Sequence, residues 1–153
     1  MKNNIYIGGI DMAIKEGSQA PEFSLKDENG IERSLKDYLG NPVLLYFYPK
    51  DDTPGCTTEA CSFRDDYAEY EKAGVVILGV SPDSVKSHQK FKAKYNLPFT
   101  LLADEDHTVC NIYGVWGTKK MYGKEYEGVF RTTFLIGADG KILKVFENVK
   151  ADG

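Results

Sequence analysis

In the stretch Tyr46-Phe47-Tyr48-Pro49-Lys50-Asp51-Asp52-Thr53-Pro54-Gly55-Cys56-Thr57-Thr58-Glu59-Ala60-Cys61, an apolar run meets a proline, turns, and opens a helix that carries two thiols. Thr53 has the side chain of a helix N-cap. Pro54 suits the first helical position, where its missing N–H is one that a helix could not have bonded. Cys56 then falls at about the third helical position. There its sulfur meets unpaired backbone N–H groups and the positive end of the helix dipole, both of which favour thiolate over thiol. Cys56 is therefore a candidate nucleophile.

Working outward, Pro42 leads into Val43-Leu44-Leu45-Tyr46-Phe47-Tyr48, a run without polar alternation, as expected of a strand buried on both faces. Before it, Glu22–Leu25 and Ile31–Leu35 flank Asp27-Glu28-Asn29-Gly30 and predict an N-terminal β-hairpin. After Thr53, apolar residues at Ala60, Phe63, Tyr67 and Tyr70 predict one helix ending at Gly74. A second buried strand is expected over Val75–Val80, and a helix capped by Asp83 or Ser84 runs to about Tyr95. Phe99–Leu102 reads as a third strand, and a short helix carries Val109, Ile112 and Tyr113. Residues 114–128 read as a glycine-punctuated loop with Trp116 and Lys119-Lys120. Val129–Ile136 and Lys141–Phe146 form a closing hairpin about Asp139-Gly140. Such an order predicts an α/β fold, a central mixed β-sheet with helices on both faces. A reactive helix N-terminus would lie at the carboxyl edge of that sheet.

Composition excludes several classes. The chain has 153 residues, 42% hydrophobic, enough for one domain with a core. Residues 1–14 are set apart as an N-terminal extension and residues 15–153 as a single domain; Met12 would serve equally as a start. Nineteen basic and 23 acidic residues give a net charge of −4, which argues against nucleic acid or an anionic membrane as main partner. No run is long enough to span a bilayer, and residues 1–15 lack the apolar core of a secretory signal, so a cytoplasmic address is expected. Three cysteines do not make a disulfide scaffold, and a close pair in a reducing compartment points to catalysis or metal binding. His107 and Cys110 have the separation of two metal ligands without a second pair nearby, so no zinc site is expected. Cys110 reads as a core residue. The glycines of residues 114–128 lack the order of a phosphate-binding loop, and no cofactor is expected.

Pro49-x-x-x-Thr53-x-x-Cys56 resembles the active-site signature of the peroxiredoxins, and Cys61 five residues on resembles the bacterioferritin comigratory protein, or Q-type, branch. Tyr113-Gly114-Val115-Trp116-Gly117 and Arg131-Thr132-Thr133-Phe134 extend the similarity across about residues 15–150. The resemblance implies a thioredoxin-like fold and reduction of hydrogen peroxide and organic hydroperoxides without metal or organic cofactor. It also implies recycling by thioredoxin or a related dithiol, and a monomer is expected. Under it, Cys56 is the peroxidatic cysteine that becomes a sulfenic acid, and Cys61 resolves that acid as an intramolecular disulfide. Thr53 would hydrogen-bond the sulfur and the incoming oxygen, and Arg131 would stabilise thiolate and developing charge. Pro49 would shield the site from water, and Glu59 would orient the arginine; a solvent-facing helix glutamate is the alternative for Glu59. Relatives usually carry a further helix after the last strand, whereas this sequence ends at Gly153.

Two rival functions differ in kind. A thioredoxin-like disulfide reductase is disfavoured because four residues, not two, separate Cys56 from Cys61. A redox sensor that oxidises once and signals through a partner would share the same cysteine. Spacing adds a constraint on any disulfide: residues five apart on an ideal helix have Cα atoms roughly 8–9 Å apart, and a disulfide tolerates at most about 7 Å. A Cys56–Cys61 bridge therefore requires the start of the helix to unwind.

Overall fold

Every side chain of β5 (Val43–Phe47) is buried, and its two faces feed two separate cores. Val43, Leu45 and Phe47 join one cluster with Val80, Leu102, Phe134 and Ile136, whereas Leu44 and Tyr46 join another with Ile77, Leu101 and Phe91. That alternation is the two-residue period of a strand applied to a run apolar throughout. The computed structural model describes residues 14–147 and, ahead of them, two short paired strands, β1 (Tyr6–Ile7) and β2 (Ile10–Asp11). Apart from those strands and Ile14, which packs against the first core, the anticipated extension over residues 1–14 lies outside the described residues.

The expected N-terminal hairpin is β3 (Ser24–Lys26) paired with β4 (Glu32–Ser34). Asp27 closes its turn by accepting the N–H groups of Asn29 and Ile31. Strand β6 (Val76–Ser81) runs parallel to β5, and β7 (Thr100–Ala103) runs parallel to β6. The closing hairpin is β10 (Thr132–Ile136) with β11 (Ile142–Glu147), and β10 lies antiparallel to β5. With β8 and β9 as defined below, the central sheet has the order β11-β10-β5-β6-β7-β3-β4 and is mixed. Helices α1 (Pro54–Asp65), α2 (Tyr67–Lys72) and α3 (Val85–Tyr95) cover the face that holds Tyr46, and α4 (Thr108–Ile112) covers the other. The α/β architecture with helices on both faces is thus as anticipated.

Two expectations fail. The single helix from Thr53 to Gly74 is two helices, broken at Asp66, whose backbone (φ −99°, ψ 8°) is not helical. The break keeps Phe63 from α1 and Tyr67 and Tyr70 from α2 against the same aromatic core. The predicted loop over residues 114–128 is mostly a hairpin, β8 (Trp116–Met121) paired with β9 (Lys124–Val129). Tyr122 and Gly123 turn it with φ of 53° and 80°, the backbone of the tight turn that best matches strand twist. Residues 124–127 are all exposed. A hairpin so wetted has no apolar alternation to betray it.

Candidate active site

The site begins where β5 ends. Tyr48 N–H still bonds the Val80 carbonyl (3.0 Å), and Pro49, half-buried and without an N–H, ends the pairing. The loop that follows is anchored to α3. Asp51 is buried, its N–H donates to Asp83 Oδ2 (2.8 Å), and its carboxylate accepts the Tyr48 hydroxyl (2.6 Å) and the Ser87 hydroxyl (2.8 Å). The buried His88 ring meets the same carboxylate through Nδ1 (2.7 Å). Asp52, at a φ of 58°, accepts from Lys94 Nζ (2.8 Å) and the Tyr95 hydroxyl (2.9 Å). Sequence reasoning gave Asp51 and His88 no role, because their partners come from three separate segments, residues 48–51, 83–88 and Leu102.

Thr53 occupies the N-cap position with extended backbone (φ −96°, ψ 156°), and Pro54 opens α1, as predicted. The capping itself differs. The Thr53 hydroxyl donates to the Lys50 carbonyl (2.9 Å) rather than capping the helix, so the helix bond at this end is Thr57 N–H to the Thr53 carbonyl (2.8 Å). With its proton committed to Lys50, the Thr53 oxygen keeps acceptor lone pairs and has no proton for the sulfur.

Cys56 is the third residue of α1 and is 1% exposed. Arg131 reaches it from the link between β9 and β10. The pairing of Thr132 with Phe47 sets that link beside the end of β5. Arg131 Nη2 donates to Cys56 Sγ at 3.2 Å, and Nη1 donates to Glu59 Oε1 at 2.7 Å. One guanidinium fork thus spans a thiol and a carboxylate one helical turn apart. Glu59 is 4% exposed, so the alternative of a solvent-facing glutamate is excluded. Burial pushes its carboxyl above the ordinary range even with Arg131 opposing the shift. Burial also works against the Arg131 charge, but Cys56 and Glu59 outweigh it and hold the guanidinium above its usual value.

Of the six predicted site residues, Cys56 and Glu59 are joined through Arg131. Thr53 and Pro49 stand on the loop that leads into them. Cys61 is a free, half-buried thiol farther along the same unbroken helix. Cys110 is also free, but it lies in the other core, across the sheet from Cys56. Burial and the Asp104 carboxylate push its thiol far above the ordinary range. Asp51, Asp83 and His88 bring potential metal-ligand atoms within 4.8 Å of one another. Those atoms are already engaged with Tyr48, Ser81, Ser87 and the Leu102 carbonyl.

A mixed sheet carrying a cysteine at a helix N-terminus, with an arginine fork on its sulfur, defines a thiol enzyme of thioredoxin-like fold. Residues 17–145 match the AhpC/TSA family, and the chain belongs to it. It is 58% identical over 142 residues to a bcp peroxiredoxin of Coxiella burnetii, covering 93% of this chain and 94% of that one. To peroxiredoxin Bcp of Bacillus subtilis it is 50% identical over 139 residues, 91% of this chain and 88% of that one. Among solved structures it is similar to peroxiredoxin Q of Xylella fastidiosa, with a TM-score of 0.85 at 36% identity over 90% of this chain and 88% of that one. The bacterioferritin comigratory protein of Xanthomonas campestris, studied for alkyl peroxide reduction, superposes with a TM-score of 0.81 at 42% identity over 86% and 83%. The chain is a peroxiredoxin, a thiol peroxidase of the Bcp or Q kind.

Proposed function

We propose that Cys56 is the nucleophile of this peroxidase and that Cys61 resolves its oxidised form. The observation that carries the reading is the Arg131 fork, 3.2 Å from Cys56 Sγ at a helix N-terminus. In this cycle the Cys56 thiolate attacks the terminal oxygen of a hydroperoxide. The O–O bond breaks, the departing alkoxide or hydroxide takes up a proton and leaves as alcohol or water, and Cys56 becomes a sulfenic acid. Arg131 favours the thiolate and meets the charge that develops on the peroxide oxygens, and Glu59 holds Arg131 in register. Thr53 accepts a hydrogen bond from the peroxide, and Pro49 keeps bulk water from the reacting sulfur. The Cys61 thiol then attacks the sulfenic sulfur, water leaves, and an intramolecular disulfide forms.

A dithiol protein of the thioredoxin class reduces that disulfide, taking it back to two thiols while its own pair becomes a disulfide. The chain acts as a monomer of one domain over residues 15–153. It works in a reducing compartment, the cytoplasm, where a close thiol pair serves catalysis and not a structural disulfide. Among the described residues no helix is long and apolar enough to cross a membrane.

The test is peroxide-dependent oxidation of NADPH coupled through thioredoxin and its reductase, with sedimentation of the same sample. Wild type turns over steadily and Cys56→Ser does not, because a serine hydroxyl is neither ionised nor soft enough to attack the O–O bond. Turnover by Cys56→Ser near the wild-type rate would refute the assignment. After one equivalent of peroxide, peptide mapping should find Cys56 joined to Cys61; a bridge to Cys110 instead would make Cys61 a bystander.

A further inference from the structure

Arg131 answers two anions with one positive charge. When Cys56 is a thiolate and Glu59 a carboxylate, the cluster of these three residues carries a net negative charge. The Tyr46 phenol, buried beside them, adds no compensation. Leaving such an excess in a buried site favours return of the proton to Cys56 or Glu59.

A second cation stands on the hairpin that delivers Arg131. Lys119, on β8, sends its ammonium across to β9, where Nζ donates to the Val129 carbonyl at 2.8 Å. Val129 lies two residues before Arg131. Nζ is 5.8 Å from the centroid of the Phe130 ring, the residue between them. Gly128 gives the lysine stem its path: a Cβ there would stand 3.2 Å from Lys119 Cδ. The side chain is half-buried, whereas the next lysine, Lys120, is exposed and pairs loosely with Glu125 at 3.8 Å. The other acid of the hairpin, Glu127, is engaged by Trp116 Nε1 and the Thr118 hydroxyl. Burial and the like charge of Arg131 pull the Lys119 ammonium below the ordinary lysine range, and the charge of Cys56 pulls it back up. Lys119 is thus tied to the same short segment that carries Arg131 to Cys56, and its ammonium responds to the charges of both.

We propose that Lys119 is a positioning residue of the peroxidase site: its ammonium, fixed on the Val129 carbonyl beside Arg131, is the second positive charge that balances the Cys56 thiolate and the Glu59 carboxylate. It acts on the thiolate population and touches neither sulfur nor peroxide. The carbonyl contact sets its distance, and half-burial keeps its field from being screened as that of a surface lysine is. The proposal rests on Cys56 being the nucleophile.

The experiment compares Lys119→Gln, Lys119→Arg and Lys120→Gln by the second-order rate constant with hydrogen peroxide, from about pH 5.5 to pH 9. The thiolate of Cys56 is followed by absorbance in a Cys61→Ser, Cys110→Ser background. Lys119→Gln should lose about three- to tenfold in thiolate fraction and rate on the acid side of the profile. That deficit should close toward about pH 9, where the thiol ionises without help. Lys119→Arg should stay within about twofold of wild type, and Lys120→Gln should match it. If Lys119→Gln does not fold, Gly128→Ala crowds the lysine stem while leaving its charge in place, and should produce the same acid-side deficit in smaller measure.

A Lys119→Gln profile that coincides with wild type, a deficit that is constant across pH, or an equal deficit in Lys120→Gln would each overturn the proposal. Failure of the nucleophile assignment would look different, because Cys56→Ser would then remain active. An inactive Cys56→Ser with a wild-type Lys119→Gln profile removes Lys119 alone.

Discussion

Replacing Arg131 by alanine removes the only side chain that, among the described residues, donates to the Cys56 sulfur, and the size of the effect follows from where that donor sits. Two unit charges 3.2 Å apart, at an effective dielectric of ~20, interact by ~5 kcal/mol. That figure is a ceiling, since the guanidinium charge is spread over three nitrogens and water would enter the space left. About half of it, ~2–3 kcal/mol, is the loss expected in the stability of the thiolate. At neutral pH the thiolate, and with it the rate of attack on peroxide, should fall by ~10² on this ground alone. A further factor of ~10 or more is expected from loss of the charge that meets the developing oxyanion, and that factor should persist at high pH.

The two contributions separate in a stopped-flow pH profile of peroxide consumption read beside the thiolate absorbance. Arg131→Lys should recover much of the thiolate but less of the plateau, since an ammonium cannot fork between Cys56 and Glu59. Arg131→Ala also removes the charge that opposes burial at Glu59, 4% exposed, so its carboxyl moves further up and, wherever it stays ionised, sets a second anion beside the thiolate. Over that range the double variant Arg131→Ala, Glu59→Gln should ionise more readily at Cys56 than Arg131→Ala does. If Arg131→Ala leaves both the rate constant and the thiolate titration unchanged, or if adding Glu59→Gln drives the titration further alkaline, the electrostatic account is wrong.

Cys110→Ala should keep peroxide turnover within about twofold of wild type and cost ~1–2 kcal/mol in urea unfolding, the effect of a small cavity in the core. A peroxidase defect at unchanged stability would contradict the placement of Cys110 across the sheet. Asp27→Asn should destabilise by ~1–3 kcal/mol at neutral pH, because the carboxylate serves the N–H groups of Asn29 and Ile31 and Arg33 Nε from a side chain 1% exposed. Burial opposes the charge at Asp27, but the three donors prevail and hold the carboxyl below its ordinary 3.8. A depressed folded value means that the stabilisation is present above about pH 4 and is lost as pH falls through that value. The gap between wild type and Asp27→Asn should therefore shrink on acidification, and a gap constant down to about pH 2 would refute this.

What could be read in the sequence was what local rules determine. The run from Val43 to Tyr48 and the Thr53-Pro54 start of α1 are dictated by burial and by backbone chemistry within a few residues. The candidate nucleophile followed from them. Arg131 lies 75 residues from Cys56, and no local rule ties the two. Only the resemblance to a family joined them, and the register of β10 on β5 is the physical reason for it. The β8–β9 hairpin was illegible because its strands are wet and its turn uses Tyr122-Gly123 instead of Asn-Gly. The fate of the Thr53 hydroxyl was illegible because the Lys50 carbonyl competes with the helix for it, a contest that geometry decides.

The same contacts bear on how a site assembled this firmly can take itself apart in the proposed cycle. Before α1, the loop is tied to α3 through Asp51 and Asp52; beyond Cys61, Arg64 Nη1 donates to the Tyr95 carbonyl (2.9 Å), again on α3. Between those ties the first turns of α1 are held by the packing of Cys56 and Ala60 in the core and by the Arg131 fork. Within the helix, Thr58 Oγ1 bonds the Pro54 carbonyl (3.0 Å), a contact local to the turn itself. Oxidation of a thiolate to a sulfenic acid replaces a charged acceptor by a neutral one, and a charge-assisted bond is roughly twice as strong as a neutral one. The chemical step thus weakens the tie that holds Cys56 in place, while the ties on either side stay intact. Unwinding confined to the first turn, which carries Cys56, costs few helical bonds, because that turn has few to lose. In the proposed cycle, attack on peroxide thus leads to release of the helix through one change in charge at one sulfur.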